Sequence, residues 1–278
     1  WLLLFVHAIA ILTKWKKISL LNEVILQQAL ADNHIQFDYN SAIRILIVQK
    51  NVFDVLLAIT HKPKKVIIEC PYTIMGYVWS LHKKGIPVIE LQHGVLNDKH
   101  YAYNSLYSSP ILYPDEICVF GQEEYKYLNG QDCNYCKKIH KTGLFFMELA
   151  KQSFTNNPFK EFRSKYEKVI LVAGQRGYEE AMAEYVKEAA RKTSNCLYVY
   201  VPRNTDAGLV FDQDNIVYRP GVNIYEYMIW CDVHLTISST TCLECQYYQK
   251  PTIFYNYADM SVNYYYKVLK PENGVVYT

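Results

Sequence analysis

The chain has 278 residues, half of them hydrophobic and a fifth charged, and carries a formal net charge of +2. That length accommodates one large domain or two ordinary ones, each with its own core, and two is the expectation. The composition excludes a disordered chain, and the near-neutral balance removes any general electrostatic argument for a nucleic-acid partner.

The opening stretch WLLLFVHAIAIL is apolar for about a dozen residues before Lys14, Lys16 and Lys17, whereas a membrane-crossing helix needs about 20. It also lacks the basic leader and small-residue cleavage site of a signal peptide. A core helix or strand is expected there, with a membrane-surface anchor as the alternative. Beginning at Trp1 and stopping at Thr278 without a terminating pattern, the sequence reads as a piece truncated at both ends.

From residue 15 to about 60, Leu20, Leu21, Val24, Ile25, Ala29 and Leu30 recur at spacings of three and four, and residues 43–58 repeat the pattern, so packing helices are predicted. KKVIIEC (64–70) then reads as a buried strand, residues 72–85 as a helix ended by Gly85, and IPVIELQ (86–92) as a second strand. EICVFG (116–121) is a further strand that opens into the helix EEYKYL. The polar stretch 151–166, broken by Pro158, is the expected linker, with domains at 1–155 and 156–278.

The second half alternates again. Strands are predicted at 168–174, 196–202, 215–219, 233–238 and 251–256, with helices at 178–192, 223–231 and 240–249 between them. This alternation calls for parallel sheets covered by helices: an α/β protein of two Rossmann-like domains facing a cleft, with ligand groups on the loops at the strands' carboxyl ends.

Two loops carry most of the polar chemistry. In ELQHGVLNDKHYAYN (90–104), Gln92, His93 and Gly94 occupy the turn, followed by Asn97, Asp98, Lys99, His100, Tyr101 and Tyr103. A histidine at a strand end suits proton transfer from a hydroxyl acceptor. Glu69 ends the preceding strand and is expected to open onto the same loop, while Glu90 is expected to point into or under the sheet's end; either carboxylate suits orienting a histidine or acting as base. His7, His34, His61, His82 and His140 read as surface or packing residues.

In the second loop, Ser238, Ser239, Thr240 and Thr241 end a strand and open a helix. Unpaired backbone N–H groups and the helix dipole make such a place suited to phosphate, and four hydroxyls exceed what an ordinary N-cap requires. Glu244, one turn further, is placed to accept from ribose hydroxyls, and Arg203, after the strand 196–202, is placed to pair with phosphate. AGQRGYEE (173–180) lacks the spacing of a Walker or dinucleotide loop.

Eight scattered cysteines, several within apolar runs, indicate a reducing compartment, and a cytoplasmic location is expected. Cys133/Cys136 and Cys242/Cys245 have metal-ligand spacing within each pair but lie far apart, and packing or surface thiols are expected instead of a zinc site.

The LQHG loop, its Tyr-rich continuation, PDEICVFG (114–121) and TISSTTCLECQYYQKPTIFYN (236–256) together resemble bacterial GT-B glycosyltransferases of capsule and lipopolysaccharide assembly, including sialyltransferase-like and capsule-synthesis enzymes. The resemblance covers about residues 64–256. It implies transfer of a sugar from a nucleotide-activated donor to a glycan or lipid-linked surface acceptor, with neither metal nor cofactor, and peripheral contact with the inner membrane or a biosynthetic complex.

In that scheme Ser238, Ser239, Thr240 and Arg203 hold the donor phosphate and Glu244 the ribose. His93 with Glu69 is the catalytic group, and Gln92, Gly94, Asp98, His100 and Tyr103 line the acceptor side. One departure stands out: Val201-Pro202-Arg203 occupies the place where many of these enzymes have a His-Pro pair. A sugar-nucleotide epimerase of the same architecture and a catalytically degenerate binding protein are the alternatives.

Overall fold

The structure, a computed structural model, describes residues 20–104, 109–130, 135–205 and 208–278. The expectation for the apolar stretch 1–12 lies outside the described residues. The chain divides into two compact units between Thr142 and Gly143.

The first unit opens with α1 (Glu23–Asp32) and α2 (Tyr39–Ile59). Asp38 starts α2 by accepting from the Ser41 backbone N–H at 3.0 Å, the ordinary cap of a helix N-terminus. Four parallel strands follow, β1 (Val66–Ile68), β2 (Val88–Leu91), β3 (Glu116–Val119) and β4 (Lys138–Lys141), lying side by side in chain order. Between them run α3 (Met75–Lys83) and α4 (Gln122–Asn129).

α2 lies close against α3 because residue 76 is glycine. A Cβ there would sit 2.4 Å from both Gln49 Cβ and the Leu46 carbonyl. Gln49 uses the closeness: its Oε1 accepts from the Gly76 N–H at 3.1 Å, satisfying a donor at the start of α3. Val78, Leu81, Ile86 and Val88 form the core beneath.

The second unit contains α5 (Phe145–Ser153), β5 (Lys168–Ala173), α6 (Glu179–Lys192), β6 (Cys196–Val201), β7 (Ile216–Tyr218) and α7 (Ile224–Met228). β8 (Val233–Thr236), α8 (Thr241–Tyr247), β9 (Thr252–Phe254), α9 (Met260–Tyr265) and β10 (Val275–Tyr277) complete it. Its six strands are all parallel, in the order β10-β9-β8-β5-β6-β7. Side chains alternate across β5, so Ile170 and Val172 join Met182 and Val186 of α6 on one face. Val169 and Leu171 join Met228, Cys231 and Cys245 on the other.

Residues 151–166, read from sequence as a linker with a boundary at 155/156, fold into the second unit. α5 covers the first part, and Phe159 and Tyr166 are buried in the core with Leu171. Arg163 donates to the Asp232 carboxylate at 2.5 Å and Trp230 Nε1 to the Phe154 carbonyl at 3.2 Å. These anchors are aromatic residues and one arginine in a stretch without the period of a helix or strand, which is why the pattern registers only as polar and broken. β4 and β10 also escape the sequence reading. Both lie at sheet edges, and β4, the tetrapeptide Lys-Ile-His-Lys, has the polar character that edge strands tolerate.

Candidate functional site

In the second unit the strand order reverses between β5 and β8, which are neighbours in the sheet but far apart in sequence. At such a switch point the connections leave in opposite directions and open a crevice at the strands' carboxyl ends. The loops there are 174–178, after β5, and 237–240, after β8.

The turn after β8 is held from below. The Thr236 hydroxyl donates to the Ala173 carbonyl at 3.1 Å, joining the ends of β8 and β5, and accepts from the Ser239 N–H at 3.4 Å. Ser261 Oγ donates to the Ile237 carbonyl at 2.5 Å, and the Tyr265 hydroxyl to that of Ser238 at 3.0 Å. Ser239 Oγ accepts from the Thr241 N–H at 3.4 Å, so one hydroxyl serves the helix start. The half-buried hydroxyls of Ser238 and Thr240 have no hydrogen-bond partner among the described residues.

Glu244, in α8, accepts from the Tyr225 hydroxyl at 3.0 Å through one oxygen; the other oxygen is buried without a partner. Burial pushes its pKa up, opposed by the tyrosine bond. Arg203, exposed in the loop after β6, is near enough that its charge acts on Tyr225. That loop reaches the switch point because residue 174 is glycine: a Cβ there would lie 2.9 Å from Pro202 Cα and 3.0 Å from the Arg203 backbone nitrogen. Ser238, Ser239, Thr240, Glu244 and Arg203 therefore belong to one neighbourhood at the carboxyl ends of β5, β6 and β8. Tyr225, which sequence reasoning missed, holds Glu244 and lies within reach of the Arg203 charge.

In the first unit the loop after β2 folds over a buried carboxyl. Glu90 is 0% exposed, and its two oxygens accept from the hydroxyls of Tyr103 and Tyr135, each at 2.6 Å. Burial pushes its pKa up to about 7 despite both bonds. Asn97 shapes the loop, its side-chain oxygen accepting from the N–H groups of Lys99 at 2.9 Å and His100 at 3.1 Å, as an Asx turn does.

His93 Nε2 lies 3.0 Å from the Tyr72 hydroxyl, and its Nδ1 is buried without a partner. His100 packs 4.7 Å from the Tyr103 ring, with its own Nδ1 also unpartnered. Desolvation lowers the pKa of both imidazoles. The negative charge of Glu69 opposes this at His93, and the nearby His93 reinforces it at His100. Both rings are therefore neutral at pH 7, the form that can take up a proton.

Tyr103 turns inward onto Glu90, so its hydroxyl is not presented to a ligand as the acceptor-side reading expects; Tyr135 and Glu90 are the reason. Gln92 is likewise engaged inside, its amide donating to the Gly94 carbonyl at 2.7 Å and accepting from the Phe120 N–H at 2.8 Å. Asp98 and Glu69 are exposed. Tyr72, placed by the turn 71–73 before α3, is the partner of His93 that sequence reading did not single out.

Among the described residues no cluster of three or more His, Cys, Asp or Glu side chains is arranged to hold a metal; Cys133 lies outside them. No helix among them is long and apolar enough to cross a membrane.

No protein-family model matches the chain, and no curated protein matches its sequence. Solved structures do. UDP-GlcNAc 2-epimerase from Neisseria meningitidis, bound to UDP-GlcNAc, superposes with a TM-score of 0.60 at 15% identity, over 92% of this chain and 76% of that one. A putative UDP-N-acetylglucosamine 2-epimerase from Listeria monocytogenes gives 0.58 at 15% identity, over 82% and 67%. A spinosyn rhamnosyltransferase complexed with spinosyn aglycone gives 0.50 at 12% identity, over 90% and 70%. These likenesses, together with the two parallel sheets, give the chain a GT-B-like α/β fold of two Rossmann-like units.

Proposed function

We propose that this chain is a glycosyltransferase that takes a sugar from a nucleotide-activated donor and passes it to a hydroxyl of a cell-surface glycan or lipid-linked acceptor. One observation carries the reading. At the switch point of the second unit, the partner-free hydroxyls of Ser238 and Thr240 lie in the same neighbourhood as the unmatched Glu244 oxygen. Hydroxyls there suit a diphosphate or monophosphate, and a carboxylate one turn along suits ribose hydroxyls. Arg203 adds positive charge.

In this scheme the acceptor hydroxyl attacks the anomeric carbon as the bond to the donor phosphate breaks. The leaving oxygen's charge is met by backbone N–H groups, hydroxyls and Arg203, so no metal is assigned. On the first unit, neutral His93 takes the acceptor's proton, with Tyr72 fixing the ring, and Glu69 favours the imidazolium that results. Gln92, Gly94 and Tyr103 support this loop, while His100 and Asp98 are assigned to acceptor contact. The motif resemblance supports a capsule or lipopolysaccharide acceptor and a cytoplasmic site at the inner face of the membrane.

The test is thermal stabilisation by CMP, CDP, UDP and GDP, repeated in Ser239→Ala and Glu244→Ala. A nucleotide at a hundred times its Kd adds about 2.7 kcal/mol of stability. One nucleotide should stabilise the wild type and neither variant; no shift with any of the four would sink the reading in favour of a degenerate binding protein.

A second reading has its own support, because solved UDP-GlcNAc 2-epimerases superpose at TM-scores of 0.50 to 0.60, at or above the 0.50 of the rhamnosyltransferase. An epimerase isomerises UDP-GlcNAc with no acceptor present, whereas a transferase needs one, so that assay separates the two.

A further inference from the structure

His234 lies in the middle of β8 and is 0% exposed, a histidine that neither the acceptor loop nor the hydroxyl turn accounts for. Its Nε2 is 3.0 Å from the Thr241 hydroxyl at the start of α8, and its Nδ1 is 3.3 Å from the Thr252 hydroxyl on β9, where the two residues are register partners. Complete burial pushes its pKa down to about 3, so the ring is neutral across the physiological range. A neutral imidazole has one donor and one acceptor. Whichever nitrogen carries the proton, one hydroxyl must donate and the other accept, so the ring sets the direction of both.

Thr241 meets the turn a second time through its backbone, its N–H donating to Ser239 Oγ at 3.4 Å, so a side chain held by His234 also holds this N–H against Ser239. His234, Thr241 and Ser239 thus form a chain from the core to the surface of the turn. The other supports of that turn, Thr236, Ser261 and Tyr265, are also neutral groups acting from beneath.

We propose that His234 is a positioning residue that orients the Ser238–Thr241 turn for its anionic ligand through Thr241. The inference rests on the nucleotide-site reading. A purely structural histidine would act through stability alone, and its two hydroxyl partners separate the cases, since only Thr241 belongs to the turn while Thr252 belongs to the sheet.

The experiment titrates CMP, CDP, UDP and GDP into the wild type, His234→Leu, Thr241→Val, their double variant and Thr252→Val, and records the melting temperature of each. His234→Leu and Thr241→Val should each weaken the preferred nucleotide about tenfold, the loss of one oriented hydrogen bond. The double variant should be no weaker than either, because both break the same link. Thr252→Val should lower the melting temperature and leave affinity within about twofold. If His234→Leu fails to fold, His234→Asn, too short to reach Thr241, takes its place with the same expectation.

Affinity that simply follows melting temperature, with Thr252→Val as weak as Thr241→Val, overturns the proposal, as does wild-type affinity in His234→Leu. A wild type that binds none of the four nucleotides overturns the nucleotide-site reading, and this inference falls with it.

Discussion

The two units place polar groups at strand ends by different means. In the second, the sheet order reverses between β5 and β8, so topology prepares the crevice and the sequence needs only to furnish it with Ser238, Ser239, Thr240 and Glu244. In the first, β1 to β4 lie in chain order, and the polar cluster comes from one long loop folded over Glu90, with Tyr72 brought in beside His93. A site prepared by topology should tolerate loss of a single side chain in stability while losing ligand. A site built on a buried carboxyl should lose structure first.

The largest expected effect tests the second half of that contrast. Glu90→Ala strands two tyrosine hydroxyls and opens a cavity, at a cost of about 4 kcal/mol in urea unfolding. A loss below about 1 kcal/mol would show that the loop does not stand on this carboxyl.

The same residue makes the first unit sensitive to pH. The Glu90 pKa is raised on folding from 4.5 to about 7, so the folded state holds the proton more tightly. That contribution is fully present below 4.5 and is lost as pH rises through about 7; it amounts to about 3 kcal/mol. His93 and His100 act in the opposite direction, since their lowered values cost stability as pH falls below 6.5. Comparing wild type with Glu90→Gln at pH 5 and pH 8 isolates the carboxyl. The stability gap between them should shift by about 3 kcal/mol toward the variant at the higher pH, and a constant gap would remove the buried proton from the account.

In the second unit, Glu244→Gln removes a buried charge with an unmatched oxygen. The ligand-free protein should gain about 1 kcal/mol, while nucleotide affinity falls about tenfold. If calorimetry and titration show stability and affinity falling together, the contrast between the units collapses. The smallest change is Tyr72→Phe, which takes one hydroxyl from His93. It should cost about 1 kcal/mol and alter the His93 tautomer balance seen by NMR, without changing nucleotide affinity at the second unit.

The clustering of the second candidate site was legible because its residues are neighbours in sequence: Ser238 to Thr241 and Glu244 share one turn and one short helix. The first site was legible only in part. The LQHG loop announced His93, but not that Gln92 and Tyr103 face inward, because Gln92 is held by the Phe120 N–H twenty-eight residues on, and Tyr103 by Glu90, which also takes Tyr135, forty-five residues from it. His234 was silent for a similar reason. Within an apolar strand it resembles a packing residue until Thr252, on the neighbouring strand, supplies a second hydroxyl.

By itself, the sequence determined the α/β class, the alternation of strands with helices and the polar strand-end loops. Hydrophobic period and turn chemistry are local properties of the backbone and its adjacent side chains. Only the tertiary structure decided which strands lie side by side, where the order reverses, that residues 151–166 belong to the second unit, and which histidine meets which hydroxyl. Those outcomes depend on contacts between segments distant in the chain, and no local pattern encodes which distant segment a strand or side chain will meet.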